Sequence, residues 1–198
     1  MSDVYYSILT EGQGKYTEKM SRFLSFAFGV TTADEARSRI AEIGRRYHDA
    51  RHVCWAYMLG PGRRDCLSND NGEPSGTAGK PILGQINSFG LTDVVVVVVR
   101  YFGGIKLGTS GLISAYREAA RLALEAAGRK ELHVLRRVAF TFPYMSLNDV
   151  MKLIKQPGIT VNSQTFDNAC EVDLTVRLDD ADRLCGRLSD IDGLTFKV

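Results

Sequence analysis

Ser68 to Pro81 is the densest polar stretch of the chain, and it strings Asp70, Glu73, Ser75, Thr77 and Lys80 among glycines. A helix that opened from this loop would offer unpaired N–H groups and a positive dipole end, so hydroxyls and a lysine there suit an anion. The same stretch admits acid–base work, with Asp70 and Glu73 as paired carboxylates and His52 as base. It also admits a structural role, with Glu73 accepting N–H bonds of its own loop and His52 serving as polar partner to Asp70 or Glu73. A Walker A loop is excluded: Pro74 stands where its first glycine belongs, and Pro81 replaces the hydroxyl that would hold magnesium. No G-x-S-x-G elbow supplies an activated nucleophile, which favours the structural and binding readings over catalysis.

Arg100 to Gly111 is the second candidate. An apolar run empties there into Gly103 and Gly104, and Arg100, Lys106, Thr109 and Ser110 could add charge and hydroxyl donors to a backbone nest. The plainer reading is that the glycines permit positive φ in a tight connection and let a helix pack closely. Metal chemistry finds less support. His48 and His52 imitate H-E-x-x-H, but the helical pattern stops before His52, which breaks the geometry two imidazoles need to share an ion. The four cysteines, Cys54, Cys66, Cys170 and Cys185, contain no C-x-x-C pair and read as reduced thiols.

Elements to position these residues follow from periodicity. Strands are expected over Val4 to Leu9, Arg22 to Phe28 and His52 to Leu59, with a polar loop from the Gly60-Pro61-Gly62 turn to Gly76. Thr32 followed by Glu35 matches a capping box for a helix from Ala33 to His48, whose outer face carries Arg37, Arg39, Arg45 and Arg46. A second helix spans Thr77 to Phe89, with Ser75 or Thr77 as cap and Pro81 in the first turn. Thr92 to Phe102 must be a central strand, since consecutive β-branched residues lose little χ1 freedom there and the valines of Val94 to Val99 need burial on both faces. That run is scaffold, contributing on the order of 10 kcal/mol before entropy. A helix from Ser110 to Ala127 ends at Gly128, and Arg129-Lys130-Glu131 reads as a charged link. Beyond it come strand Val138 to Phe142, helix Ser146 to Lys155, strands Ile159 to Phe166 and Cys170 to Leu178, helix Asp180 to Ser189 and strand Leu194 to Val198. The order β-α-β-β-α-β is the ferredoxin-like split motif.

With 198 residues, 44% of them hydrophobic and 24% charged, the chain can bury two cores, and wholesale disorder is excluded. The expected class is α+β, with one domain over residues 1–135 and a ferredoxin-like domain over 136–198. A formal charge of +2 excludes a strongly basic whole surface, and the basic excess lies in the first domain. No apolar run approaches the roughly 18–20 residues that span a bilayer, and Met1 to Leu9 reads as no signal peptide, so a complete, cytoplasmic protein is expected.

Three stretches taken in order carry a family resemblance: Arg51-His52-Val53-Cys54-Trp55-Ala56-Tyr57, Asn71 through Leu83 (NGEPSGTAGKPIL), and Val99 through Gly108 (VRYFGGIKLG) with Gly111-Leu112 and Ala115-Tyr116. Together they resemble the IMPACT family in its bacterial YigZ branch. The resemblance covers Tyr5 to Ala127. It implies a first domain like the second domain of ribosomal protein S5, and a second domain like the last domain of elongation factor G. It further implies binding to RNA, the ribosome or a translation-related protein, since eukaryotic relatives regulate translation under amino-acid starvation. The resemblance establishes no catalytic activity and no cofactor. The family's acidic pair stands here as Asp70-Asn71, which disfavours any mechanism needing two adjacent acids.

The leading expectation is therefore a non-enzymatic, translation-associated binding protein with stress-response relatives. One polar patch would be ordered by His52, Asp70, Glu73, Ser75, Thr77, Lys80, Arg100, Gly103, Gly104 and Lys106, its cations meeting phosphates and its acid holding the loop. No metal and no cofactor is expected. The competing readings are a small-molecule or phosphoester enzyme using His52, Asp70 and Glu73, and a purely protein-binding module.

Overall fold

Six adjacent valines can be buried on both sides of a sheet only if something apolar covers each side. The computed structural model, which describes residues 3–167 and 169–197, supplies both covers. Its larger compact unit runs from Tyr5 to Leu132, and the smaller takes the residues from His133 onward with Asp3 and Val4. In chain order, β1 (Val4–Ile8), β2 (Gly12–Glu18), β3 (Ser21–Gly29), α1 (Ala33–Arg46), β4 (His52–Leu59) and β5 (Asp65–Asn69) come first. They are followed by α2 (Gly79–Ser88), β6 (Val94–Tyr101), α3 (Gly108–Ala127) and β7 (Arg129–His133).

The main sheet has strand order β2-β3-β6-β4-β5, every pair antiparallel, with the valine strand in the middle. Side chains alternate between faces along a strand. Val94, Val96 and Val98 join Phe23, Cys54 and Met58 beneath α2 and α3, where Ile82, Ile86, Leu112 and Tyr116 meet them. Val95, Val97 and Val99 join Phe26, Phe28 and Tyr57 beneath α1, which contributes Ala36 and Ile43. A second, two-stranded sheet pairs β1 with β7.

The capping pattern for α1 is realised: Glu35 N donates to Thr32 Oγ1 at 3.2 Å, while the Glu35 carboxylate reaches back to Thr31 N at 2.6 Å. That bond to the Thr31 N–H holds the Glu35 carboxyl below the usual carboxylate range. The helix stops at Arg46, with Tyr47 as C-cap, two residues short of the expected His48. Its outer face is less cationic than the sequence implies, because Arg37 pairs with Asp34 and Arg39 with Glu11 and Glu42.

Three elements depart from expectation. Gly12–Glu18 and Asp65–Asn69 are edge strands of the main sheet, and Arg129–His133 is a strand where a charged link is expected. Edge strands bury little, so their sequences carry weak alternation. In β2 the glycines answer to packing: a Cβ on Gly12 would stand 2.1 Å from the carbonyl oxygen of Ala123 in α3.

In the smaller unit, β8 (Leu135–Phe142), α4 (Leu147–Ile154), β9 (Ile159–Phe166), β10 (Cys170–Arg177), α5 (Leu178–Ser189) and β11 (Thr195–Phe196) follow in the order β-α-β-β-α-β. The sheet order is β11-β8-β10-β9, and β10 and β11 pair antiparallel with their neighbours. Val138, Phe140, Phe142, Val172, Leu174 and Val176 face the helices, which bury Val150, Leu153, Leu184 and Leu188 against them. The opposite face is polar, with Arg137 paired to Asp173, and Asn162 bonded to Asp173 and Thr175. Val198, the expected end of the last strand, lies outside the described residues. The whole is a two-unit α+β fold, and no described helix is long and apolar enough to cross a membrane.

Gly103 tests how the sheet meets its loops. A Cβ there would fall 2.1 Å from the Met20 carbonyl carbon in the β2–β3 turn. Gly103→Ala should therefore lower stability by about 1–3 kcal/mol or more, read as a drop in urea midpoint with unchanged m-value.

Candidate functional site

The last turn of the valine strand delivers Arg100 into the interior beside Glu73 from the polar loop. Arg100 Nη1 donates to Glu73 Oε1 at 2.7 Å, with the two side chains only 7% and 3% exposed. The Tyr116 hydroxyl of α3 donates to the same oxygen at 2.8 Å, and the Cys54 thiol lies 3.3 Å from that hydroxyl. Arg100 Nη2 reaches Ser21 Oγ at 3.5 Å, which also accepts the Gly103 N–H at 3.2 Å. Burial pushes the Cys54 thiol up to about 12, reinforced by the negative charges of Glu73 and Asp70. Burial likewise raises the Tyr116 phenol. Neither group is an ionisable nucleophile near neutral pH.

Asp70 does a different job. Its carboxylate accepts the Gly76 N–H at 2.8 Å and those of Ala78 and Gly79 at 2.9 and 2.8 Å. Burial raises its pKa, but the bonds from Gly76, Gly79 and Ala78 and the charge of Lys80 outweigh that, so the group titrates below the usual Asp range. This corrects two expectations. Free N–H groups were expected at the start of this helix for an external anion, but Asp70 occupies those of Gly76, Ala78 and Gly79. Neither Ser75 nor Thr77 caps α2: Thr77 is buried with its hydroxyl donating to Pro74 O at 2.6 Å, and Ser75 is exposed.

His52 pairs with neither acid. Its Nδ1 lies 2.9 Å from Asn71 O, and a carbonyl accepts only, so Nδ1 carries the proton. Asn71 sits at φ +41° and takes the Val53 N–H on its side-chain oxygen at 3.1 Å. Asn tolerates that left-handed backbone better than most residues. His52, Asp70 and Glu73 are thus each bonded to different groups, and no proton-relay pair links them. His48 lies in the turn beyond α1 while His52 opens β4, so the two imidazoles share no helix face.

The two candidate segments meet in one cleft of about 400 Å³. Glu73 and Pro74 line it from the first, Arg100, Phe102, Lys106, Gly108 and Thr109 from the second, and His52 from β4. Arg100 was expected to meet phosphates and instead forms the wall, its charge engaged by Glu73. Gly103 and Gly104 shape the turn beside the cleft, Gly104 at φ +89°. Lys80 departs from the expected single patch and lines a separate depression with Gly76, Gln85 and Arg117. Sequence reasoning passed over Arg51, Phe102, Leu107 and Leu112. The available signal was an aromatic directly ahead of paired glycines and an arginine beside His52.

Two outcomes follow from this geometry. Iodoacetamide at about pH 8 should label exposed Cys66 rapidly and leave Cys54 unmodified until the chain unfolds, as read by peptide mass spectrometry. Asp70→Asn should cost about 1–3 kcal/mol near neutral pH. Because the folded pKa of Asp70 is depressed, its stabilisation is complete above the unfolded value and lost as pH falls through the folded one. The gap between wild type and Asp70→Asn in urea unfolding should shrink on acidification below about pH 4.

Several known proteins are similar to this chain. The Impact N-terminal domain matches residues 19–124, a span containing every residue of the cleft. The chain is 35% identical over 152 residues to the IMPACT family member YvyE of Bacillus subtilis (strain 168), covering 77% of this chain and 70% of that protein. It is 35% identical over 148 residues to the IMPACT family member YigZ of Escherichia coli (strain K12), covering 73% and 72%. A solved structure described as that of a hypothetical protein superposes with a TM-score of 0.76 at 26% identity, covering 99% of this chain and 97% of that one. On these grounds the chain belongs to the IMPACT family.

Proposed function

We propose that this chain is a non-enzymatic binding protein acting in translation, and that the cleft of its larger unit binds RNA. One observation carries the reading. Exposed Arg51 and Lys106 flank the cleft's apolar lining of Pro74, Phe102, Leu107 and Leu112, while the acid within it, Glu73, is held by Arg100. Side-chain cations around an aromatic-lined groove are the electrostatic and stacking elements from which sequence-tolerant RNA sites are built. The separate engagement of His52, Asp70 and Glu73 supports a binding role over acid–base chemistry.

The open sheet face of the smaller unit is a poorer candidate. Single-strand readers of that architecture stack bases on exposed aromatics. Here the face is occupied by the Arg137–Asp173 pair with Asn162 and Thr175, which already satisfy one another.

Phosphate contact has a salt signature. The intact chain should bind RNA with an affinity that falls as salt rises. Lys106→Ala and Arg51→Ala should each weaken binding across sequences and reduce the salt slope by about one, measured by filter binding. Absence of salt-dependent RNA or ribosome association would remove the proposal.

A further inference from the structure

Phe102 is 52% exposed although it adjoins a buried core, and it lines the cleft with the Arg100 guanidinium 5.6 Å from its ring centroid. Arg100 is itself fixed by Glu73, so the ring rests on a cation that is anchored in the protein interior. Such bracing keeps an exposed aromatic in one orientation at low entropic cost. Pro74, Leu107 and Leu112 add apolar surface, and Lys106, Arg51 and Thr109 supply cations and a hydroxyl.

Resting on the RNA-binding reading, we propose that the cleft takes one unpaired nucleotide of a single strand, its base stacked on Phe102 and its phosphate held by Lys106 and Arg51. The dimensions agree, since about 400 Å³ lies within the range of small-ligand clefts. A paired base cannot serve, because both of its faces are covered by stacked neighbours in a duplex. The cleft therefore selects strand state, while the outer cations respond only to phosphate charge.

The test measures binding of the full chain to a mixed-sequence single-stranded RNA of about 12 nucleotides and to the duplex of the same sequence, by fluorescence anisotropy. The single strand should bind about tenfold or more tightly than the duplex, and Phe102→Ala should weaken it about 5- to 100-fold at unchanged salt slope. Phe102→Tyr should retain most of the affinity, and far-ultraviolet circular dichroism with urea midpoints confirms that each variant folds. Equal binding of both forms, untouched by Phe102→Ala while Lys106→Ala still lowers the salt slope, would overturn this inference and leave RNA binding standing. Ribosome association that Phe102→Ala abolishes but ribonuclease treatment does not would also overturn it, assigning the ring to a protein surface.

Discussion

A carboxylate and a guanidinium withdrawn from water together hold the two halves of the cleft in register. Glu73 comes from a loop with few apolar anchors, and Arg100 from the end of the most deeply buried strand, so their 2.7 Å contact ties the least anchored segment to the most rigid one. Burying either charge alone would leave it without compensation, and breaking such a pair by removing one partner generally costs about 3–5 kcal/mol. Tyr116 donates to the same carboxylate oxygen, which brings α3 into the arrangement. Loop, strand and helix thus converge on a single oxygen atom, and the cleft lies where they meet.

Asp70 complements this from the other end of the loop. Three backbone amides converge on its carboxylate, so the glycine-rich turn closes around an anion that the chain itself provides. The exposed cations Arg51 and Lys106 stand on the cleft side, whereas the amides of Gly76, Ala78 and Gly79 are already used by Asp70.

Much of the scaffold was legible because its residues leave no alternative. The valines of β6 require a doubly covered strand, and Thr32 with Glu35 announces α1. In the smaller unit, alternating apolar positions mark out the strands of the sheet and helical spacing marks α4 and α5. The edge strands β2 and β5 were not legible, since β2 is rich in glycine and β5 buries almost nothing. At the site, both segments were visible as glycine-and-charge clusters, but the roles within them were not. Asp70 caps α2 across six to nine residues of chain, whereas caps are read from adjacent positions. Arg100 resembles a surface cation in sequence, and only the fold reveals that Glu73 claims it.

Gly103 carries a consequence that reaches beyond its own turn. It lies against the hairpin tip where Lys19 and Met20 both adopt positive φ, at 44° and 63°, and its amide shares Ser21 Oγ with Arg100. Through Gly103, the backbone directly after Phe102 is therefore packed against the β2–β3 hairpin. Lengthening or reshaping that hairpin would shift the backbone next to Phe102 without changing a single residue of the cleft.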